Sequence, residues 1–332
     1  MSPRCEPPVM VYGNTTGSGA FVEPLVSVAV MDMFSLVNDF FLCSFISCFG
    51  IFTNTANIIV YSRMGLSESS NINFLALSVL DFLVSFITFF LKFMYSPILR
   101  DLSTGPTTSM IAASLSPAML CVVGASAMMT ALISTERFLC VVFPLKVRTF
   151  LTPRRVKYFI LTVMAYIAAF MAVFYIDIGA PFDEQIEKIG FYYFCFFAVP
   201  STTCFFIVVV TTILLVVRLR RNLEWRKQTA SQSESSSSKE NRVARTIIAI
   251  STIFIICFFP NVLNLFVQII HPPFRYMDPY LGTLTVVMFT FSGVFQAISS
   301  SINIFFYYKM SSKFKRVFSE TFLCYDNTSN NK

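Results

Sequence analysis

The sequence predicts an all-α fold: a bundle of seven transmembrane helices, N-terminus outside, followed by a short amphipathic helix on the membrane surface. Three observations predict it. Long apolar runs recur along the 332 residues, at about 36–60, 72–94, 110–142, 156–178, 190–217, 243–270 and 280–308. Hydrophobic residues make up 55% of the chain and charged residues 13%, well under the about 25% charged share of a water-soluble domain. Basic residues are also sorted by side: Arg4, Lys92, Arg100, Lys188 and Arg275 fall on one, and the other 20 of the 25 Lys and Arg on the opposite one.

Each run is long enough to cross. A helix rises about 1.5 Å per residue and a bilayer core is about 30 Å thick, so about 20 residues suffice. An unpaired backbone amide in hydrocarbon costs several kcal/mol, which requires the runs to be helical. Seven crossings put the two ends on opposite sides. Basic loops stay cytoplasmic, so the N-terminus is outside. The chain then divides into an extracellular segment 1–35, a seven-span domain 36–308 and a cytoplasmic tail 309–332. The net charge of +7 reads as topology and contact with anionic membrane lipid, not as nucleic-acid binding.

Between the spans the signals are local. Pro3, Pro7, Pro8, Glu23 and Pro24 interrupt the first 30 residues, so no cleavable signal peptide is expected and the first span serves for insertion. Asn14-Thr15-Thr16 is a glycosylation sequon on the outer side. Seven of the nine cysteines (Cys43, Cys48, Cys121, Cys140, Cys195, Cys204 and Cys257) fall within spans, where packing as small hydrophobes accounts for them. The loop at 218–242 is polar and serine-rich at its centre, a solvated linker open to phosphorylation. After the seventh run, Phe314, Val317, Phe318 and Phe322 recur at helical spacing with Lys313, Lys315 and Arg316 between them, the pattern of a membrane-surface helix. Cys324 follows as a candidate palmitoylation site.

Polar residues inside the spans carry the mechanistic signal. Asp81 sits in an apolar run, where a carboxylate costs about 2.5–3.5 kcal/mol and must face the bundle. Its candidate partners are Asn57, Ser126, Ser299, Ser300 and Asn303. This set reads either as ordinary helix–helix hydrogen bonding or as a cation- or proton-dependent switch. At the inner end of span three, Glu136 and Arg137 are adjacent and cannot easily neutralise each other across the helix. Glu240 lies 20 residues before Pro260, about 30 Å along a straight helix, which brings it to the level of Arg137. The two charges either join spans three and six or stand solvated, worth under about 1 kcal/mol. Pro260 removes a hydrogen bond inside span six and kinks it, which makes the inner half a lever. Pro200 does the same in span five.

These residues bring a family into view. Glu136-Arg137-Phe138 followed by Val142-Phe143-Pro144-Leu145 resembles the third-helix signature of rhodopsin-like G-protein-coupled receptors. Asn57 with Val60, Leu77-Ser78-Val79-Leu80-Asp81, Cys257-Phe258-Phe259-Pro260 and Asn303-Ile304-Phe305-Phe306-Tyr307 resemble its first, second, sixth and seventh-helix motifs. The five occur in order across nearly the whole chain.

The resemblance implies roles residue by residue. Glu136, Arg137 and Glu240 form the inner lock and the G-protein coupling site. Asn57, Asp81, Ser126, Ser299, Ser300, Asn303 and Tyr307 form the intramembrane polar switch. Phe254, Phe258 and Pro260 form the lever of helix six. No cofactor is expected beyond an allosteric sodium ion at Asp81 and Ser126. The departures are Phe258 for the usual Trp, Val208 for a frequent Tyr, and Ile304 for Pro, which predicts a straighter seventh span. Ala112 stands where the outer disulfide Cys belongs, and the loop 177–189 lacks the second Cys.

Met119 stands where amine receptors carry Asp, and Ala297 where opsins carry the retinal-binding Lys, so both ligand classes are disfavoured. The acidic loop residues Asp183, Glu184 and Glu187, with Asn261, Asn264 and Gln268 on the outer half of span six, suit a basic peptide or polar chemical cue. The alternative is that the loop residues are ordinary solvated charges. The stretch Cys140-Val141-Val142-Phe143-Pro144-Leu145-Lys146-Val147-Arg148, with Thr152-Pro153-Arg154-Arg155 after it, resembles molluscan chemosensory and neuropeptide-like receptors.

The expected function is that of a plasma-membrane receptor. An extracellular ligand would shift an equilibrium between two helix arrangements. The inner half of span six would swing about Pro260, free Arg137 and open a groove for a heterotrimeric G protein, with arrestin and a receptor kinase as further partners. Two other readings stand beside it. Phe258, Ile304 and the missing disulfide suit a non-signalling or decoy receptor. A transporter or channel would carry ionisable residues in several spans, paired broken helices and internal repeats. No enzymatic constellation is present: the single His271 stands in an outer loop beside Pro272-Pro273.

Overall fold

The computed structural model describes residues 23–94, 106–143, 152–176, 191–228, 234–271 and 278–323. Among them are seven helices long and apolar enough to cross a membrane: Val28–Met64, Ser69–Phe93, Leu115–Val142, Pro153–Val173, Phe191–Arg221, Ile248–Ile270 and Gly282–Lys309. They are named spans one to seven below. A final helix, Ser312–Phe322, is set off from span seven by the extended residue Ser311. The described residues contain no strand.

The apolar surface is turned outward as lipid requires. Phe45 is 77% exposed and Ile270 79%, a cost that water would not permit over so many side chains. Span three is the central post, with 67% of its apolar window buried against 17% in span four. Spans one and two, three and five, and two and three are the most closely packed pairs.

Local chemistry sets the shape of each span. Span one starts at Val28, ahead of the 36–60 apolar run, where the Ser27 side chain accepts from the Val30 amide at 3.4 Å. Its segment Leu36–Cys43 is π-helical, and there Asp39 meets Lys92 of span two at 2.7 Å. Nothing in the sequence marks Asp39 as paired, because one carboxylate near a span's end looks solvated. Further in, Gly50 allows a close crossing: a Cβ there would lie 2.4 Å from both Ser301 Oγ and Ser85 Oγ.

Pro200 frees a carbonyl that a neighbouring span takes up. Pro200 has no N–H to offer the Phe196 carbonyl one turn back, and the span before it reads as π-helix over Phe194–Ala198. Tyr166 of span four donates its hydroxyl to that same Phe196 carbonyl. Pro117, inside span three, and Pro260, inside span six, both sit within continuous helix.

Span seven corrects an expectation. Without a proline at Ile304 it was expected to run straighter, yet the helix breaks at Ile302 between Gly282–Ser301 and Asn303–Met310. The Phe305 amide bonds to Ile302 O at 3.2 Å, one residue short of helical register. The carbonyls so released are bonded from span one: Asn54 Nδ2 donates to Ser300 O at 2.7 Å and Thr53 Oγ1 to Ser301 O at 3.0 Å. Side-chain donors from another helix therefore support the break that a proline would otherwise impose.

The final helix is amphipathic as its pattern predicts. Phe314 is fully buried and Ser311 caps the helix by accepting from the Phe314 amide at 3.2 Å. Phe314 closes an aromatic cluster with Tyr61, Phe74 and Tyr307, whose ring centroids lie 5.1–5.7 Å apart.

Candidate functional site

The site begins with Asp81, which is 3% exposed. Burial without partners would be prohibitive for a carboxylate in the bundle. Ser126 Oγ of span three donates to Asp81 Oδ1 at 2.7 Å, and Asn303 Nδ2 of span seven donates to Asp81 Oδ2 at 2.8 Å. Three spans thus converge on one side chain. Beside it is a cavity of about 10 Å³ lined also by Ser299 and Gln296 and, from span six, by Phe254 and Phe258. Phe254 and Phe258 stack at 5.1 Å, so the residues of the helix-six lever form one wall of the polar core.

Two expected partners of Asp81 go elsewhere. Asn57 donates to Asn54 Oδ1 at 3.4 Å. Ser300 Oγ is turned back to the carbonyls of Gln296 and Ala297 and receives Ser85 Oγ at 3.5 Å. Serine in a helix readily bonds its own preceding turn, which removes it from the carboxylate's shell.

The inner end of span three departs further from the expectation. Glu136 is 4% exposed and accepts a hydrogen bond from Asn73 Nδ2 of span two. Arg137 donates through Nη2 to Ser70 Oγ, also of span two. The same Nη2 lies 3.8 Å from Glu136 Oε1, so the adjacent charges do meet, because the long Arg side chain folds back along the helix. The side chain of Glu240 lies outside the described residues. Among the described residues, span two supplies the clamp on Glu136 and Arg137. One turn deeper, Ser134 meets Thr211 of span five at 2.8 Å and receives Ser251 of span six at 3.5 Å. No sequence signal marked these hydroxyls, since most Ser and Thr in apolar helices satisfy themselves locally.

Tyr307 is buried in the aromatic cluster, and its hydroxyl has no hydrogen-bond partner among the described residues. It packs toward spans one and two and the final helix.

Toward the outer half, Asn264 was expected to project toward a ligand. It is instead buried between spans six and seven and donates to Ser292 Oγ at 2.8 Å and Met288 O at 3.2 Å. An amide at this depth bonds the nearest acceptors rather than face open space. Asn261 and Gln268 are half-buried. Met119 packs against the core with Thr88 Oγ1 at 3.9 Å from its sulfur. Asp183, Glu184, Glu187, Asn14 and Cys324 lie outside the described residues. No disulfide joins any described cysteines.

The family model described as 7 transmembrane receptor (rhodopsin family) matches residues 53–307, well over half of the chain. The chain belongs to the rhodopsin family of seven-transmembrane receptors. The matched stretch runs from Thr53, whose side chain supports the break in span seven, to Tyr307 in the inner aromatic cluster, so this receptor's polar core and inner clamp both lie within it. It is a multi-pass membrane protein. A comparison with curated proteins gives no match to the chain.

Proposed function

We propose that this receptor sits at the cell surface, binds an extracellular chemosensory cue or peptide, and activates a heterotrimeric G protein. The observation that carries the reading is the convergence of spans two, three and seven on Asp81 beside a cavity walled by Phe254 and Phe258 of span six. A shift of span six about Pro260 changes the wall of that cavity, so an outer event and the polar core are coupled through packed side chains. At the inner face, activation releases Arg137 from Ser70 and Glu136. Arg218, Arg221 and Lys313 border the groove that opens. Arrestin and a receptor kinase act on the same inner face.

Sodium is the ion that the family implies at the core. The donors fit it: a carboxylate and the hydroxyls of Ser126 and Ser299 border a cavity of about 10 Å³, and hard cations take oxygen ligands. A bound sodium would neutralise the Asp81 charge. Asp81, Ser126 and Ser299 would hold it while Asn303 keeps span seven in register.

The break at Ile302, kept without a proline, favours a signalling receptor over a decoy, because the hinge of span seven survives the substitution. A ligand screen coupled to a promiscuous G protein tests the reading. Second-messenger output that disappears in Arg137→Ala supports it. Output unaffected by Arg137→Ala, or no output with any ligand from a receptor that reaches the surface, counts against it.

A further inference from the structure

A groove of about 580 Å³ lies between the inner end of span seven and the final helix, lined by Ile304, Phe305, Tyr308, Lys309, Lys315 and Phe318. Its chemistry is two-part. Ile304, Phe305, Tyr308 and Phe318 give an apolar floor, and Phe305 is 54% exposed on the bundle's outer surface. Lys309 and Lys315 bring two ammonium groups to it. Lys315 is exposed, and its Nζ sits 5.5 Å from the centroid of the Tyr308 ring that also lines the groove, within reach of a cation–π contact. The other basic residues of this helix are already paired, Lys313 with Glu68 at 3.5 Å and Arg316 with Glu320 at 3.7 Å. Neither Lys309 nor Lys315 pairs with a carboxylate among the described residues.

We infer that this groove is a binding site for one anionic glycerophospholipid of the inner leaflet, with its phosphate between Lys309 and Lys315 and an acyl chain along Phe305 and Phe318. Three features favour that occupant. The groove faces the hydrocarbon. The basic loops place it at the cytoplasmic interface, where anionic lipids concentrate. Its two cations have no carboxylate partner among the described residues. A bound lipid would brace the final helix against span seven, next to Phe314 and Tyr307. The site does not depend on the receptor's ligand or on its coupling to a G protein.

The test uses the full-length receptor in nanodiscs holding equal amounts of phosphatidylserine and phosphatidylcholine. Native mass spectrometry after release reads which lipid is retained. Phosphatidylserine should be retained several-fold over phosphatidylcholine. K309Q/K315Q should bring the ratio to about one, and K313Q, whose side chain does not line the groove, should leave it high. Equal retention by the unaltered receptor overturns the proposal, as does a preference that survives K309Q/K315Q. It is also overturned by retention of a sterol in place of the phospholipid, or by phosphatidylserine retention that arises only after Cys324→Ser removes acylation, since the chain's own acyl group would then be the occupant.

Discussion

Asn54 of span one donates to the main-chain carbonyl of Ser300 in span seven at 2.7 Å, across 246 residues of sequence. With Thr53 on Ser301, it supports a helix break that no proline makes. The same logic recurs where Tyr166 takes the Phe196 carbonyl before Pro200. At both places a neighbouring span bonds the carbonyls that the helix leaves free.

Asn54→Ala should therefore destabilise the receptor. A carbonyl left unsatisfied at this depth costs about 1–3 kcal/mol. Thermal unfolding in detergent should show a lower midpoint for Asn54→Ala, and lower again with Thr53→Val added. A midpoint unchanged in the double variant would mean that the break needs no support from span one.

Gly50→Ala is a sterner test of the same crossing. The added methyl would stand 2.4 Å from two serine oxygens of other spans, so spans must move apart. Overpacking of this kind costs about 1–3 kcal/mol. Reduced yield of folded receptor and a lower unfolding midpoint are expected, although alanine is the better helix former. A stabilised variant would show that the crossing is loose.

Asn73→Leu probes the inner clamp. It removes the donor to a nearly fully buried carboxylate, and hydrogen bonds to charged groups are worth about 1.5–3 kcal/mol. Lower stability should come with raised ligand-independent second-messenger output, since Glu136 and Arg137 lose their tie to span two. Rescue by Asn73→Gln separates the hydrogen bond from packing. If Asn73→Leu leaves both readouts unchanged, span two does not restrain Arg137.

Asp81→Asn tests the ion. Binding to the folded state alone stabilises by RT ln(1 + [L]/Kd), about 1.4 kcal/mol at ten times Kd. Replacing choline chloride by sodium chloride at constant ionic strength should raise the unfolding midpoint of the unaltered receptor and not that of Asp81→Asn. Equal responses in the two proteins would refute a sodium site at Asp81.

Phe314→Ala should detach the final helix. Truncating a fully buried Phe costs about 3–5 kcal/mol, and here it also opens the cluster around Tyr307. Faster proteolysis after residue 311 is the expected readout. Protection equal to that of the unaltered receptor would show that the helix is held by the membrane alone.

The sequence by itself determined the seven helices, the depth of Asp81 and Arg137, and the amphipathic face that buries Phe314. Each follows from composition and period along one segment, because partition into lipid and backbone pairing are settled locally. Only the tertiary structure decided who meets whom. Whether Arg137 meets Ser70 of span two, whether Asn264 faces a ligand or Ser292, and where span seven breaks all depend on how helices rotate against one another. Those rotations are set by contacts such as Gly50 against Ser301, between residues far apart in the chain, and no single segment encodes them.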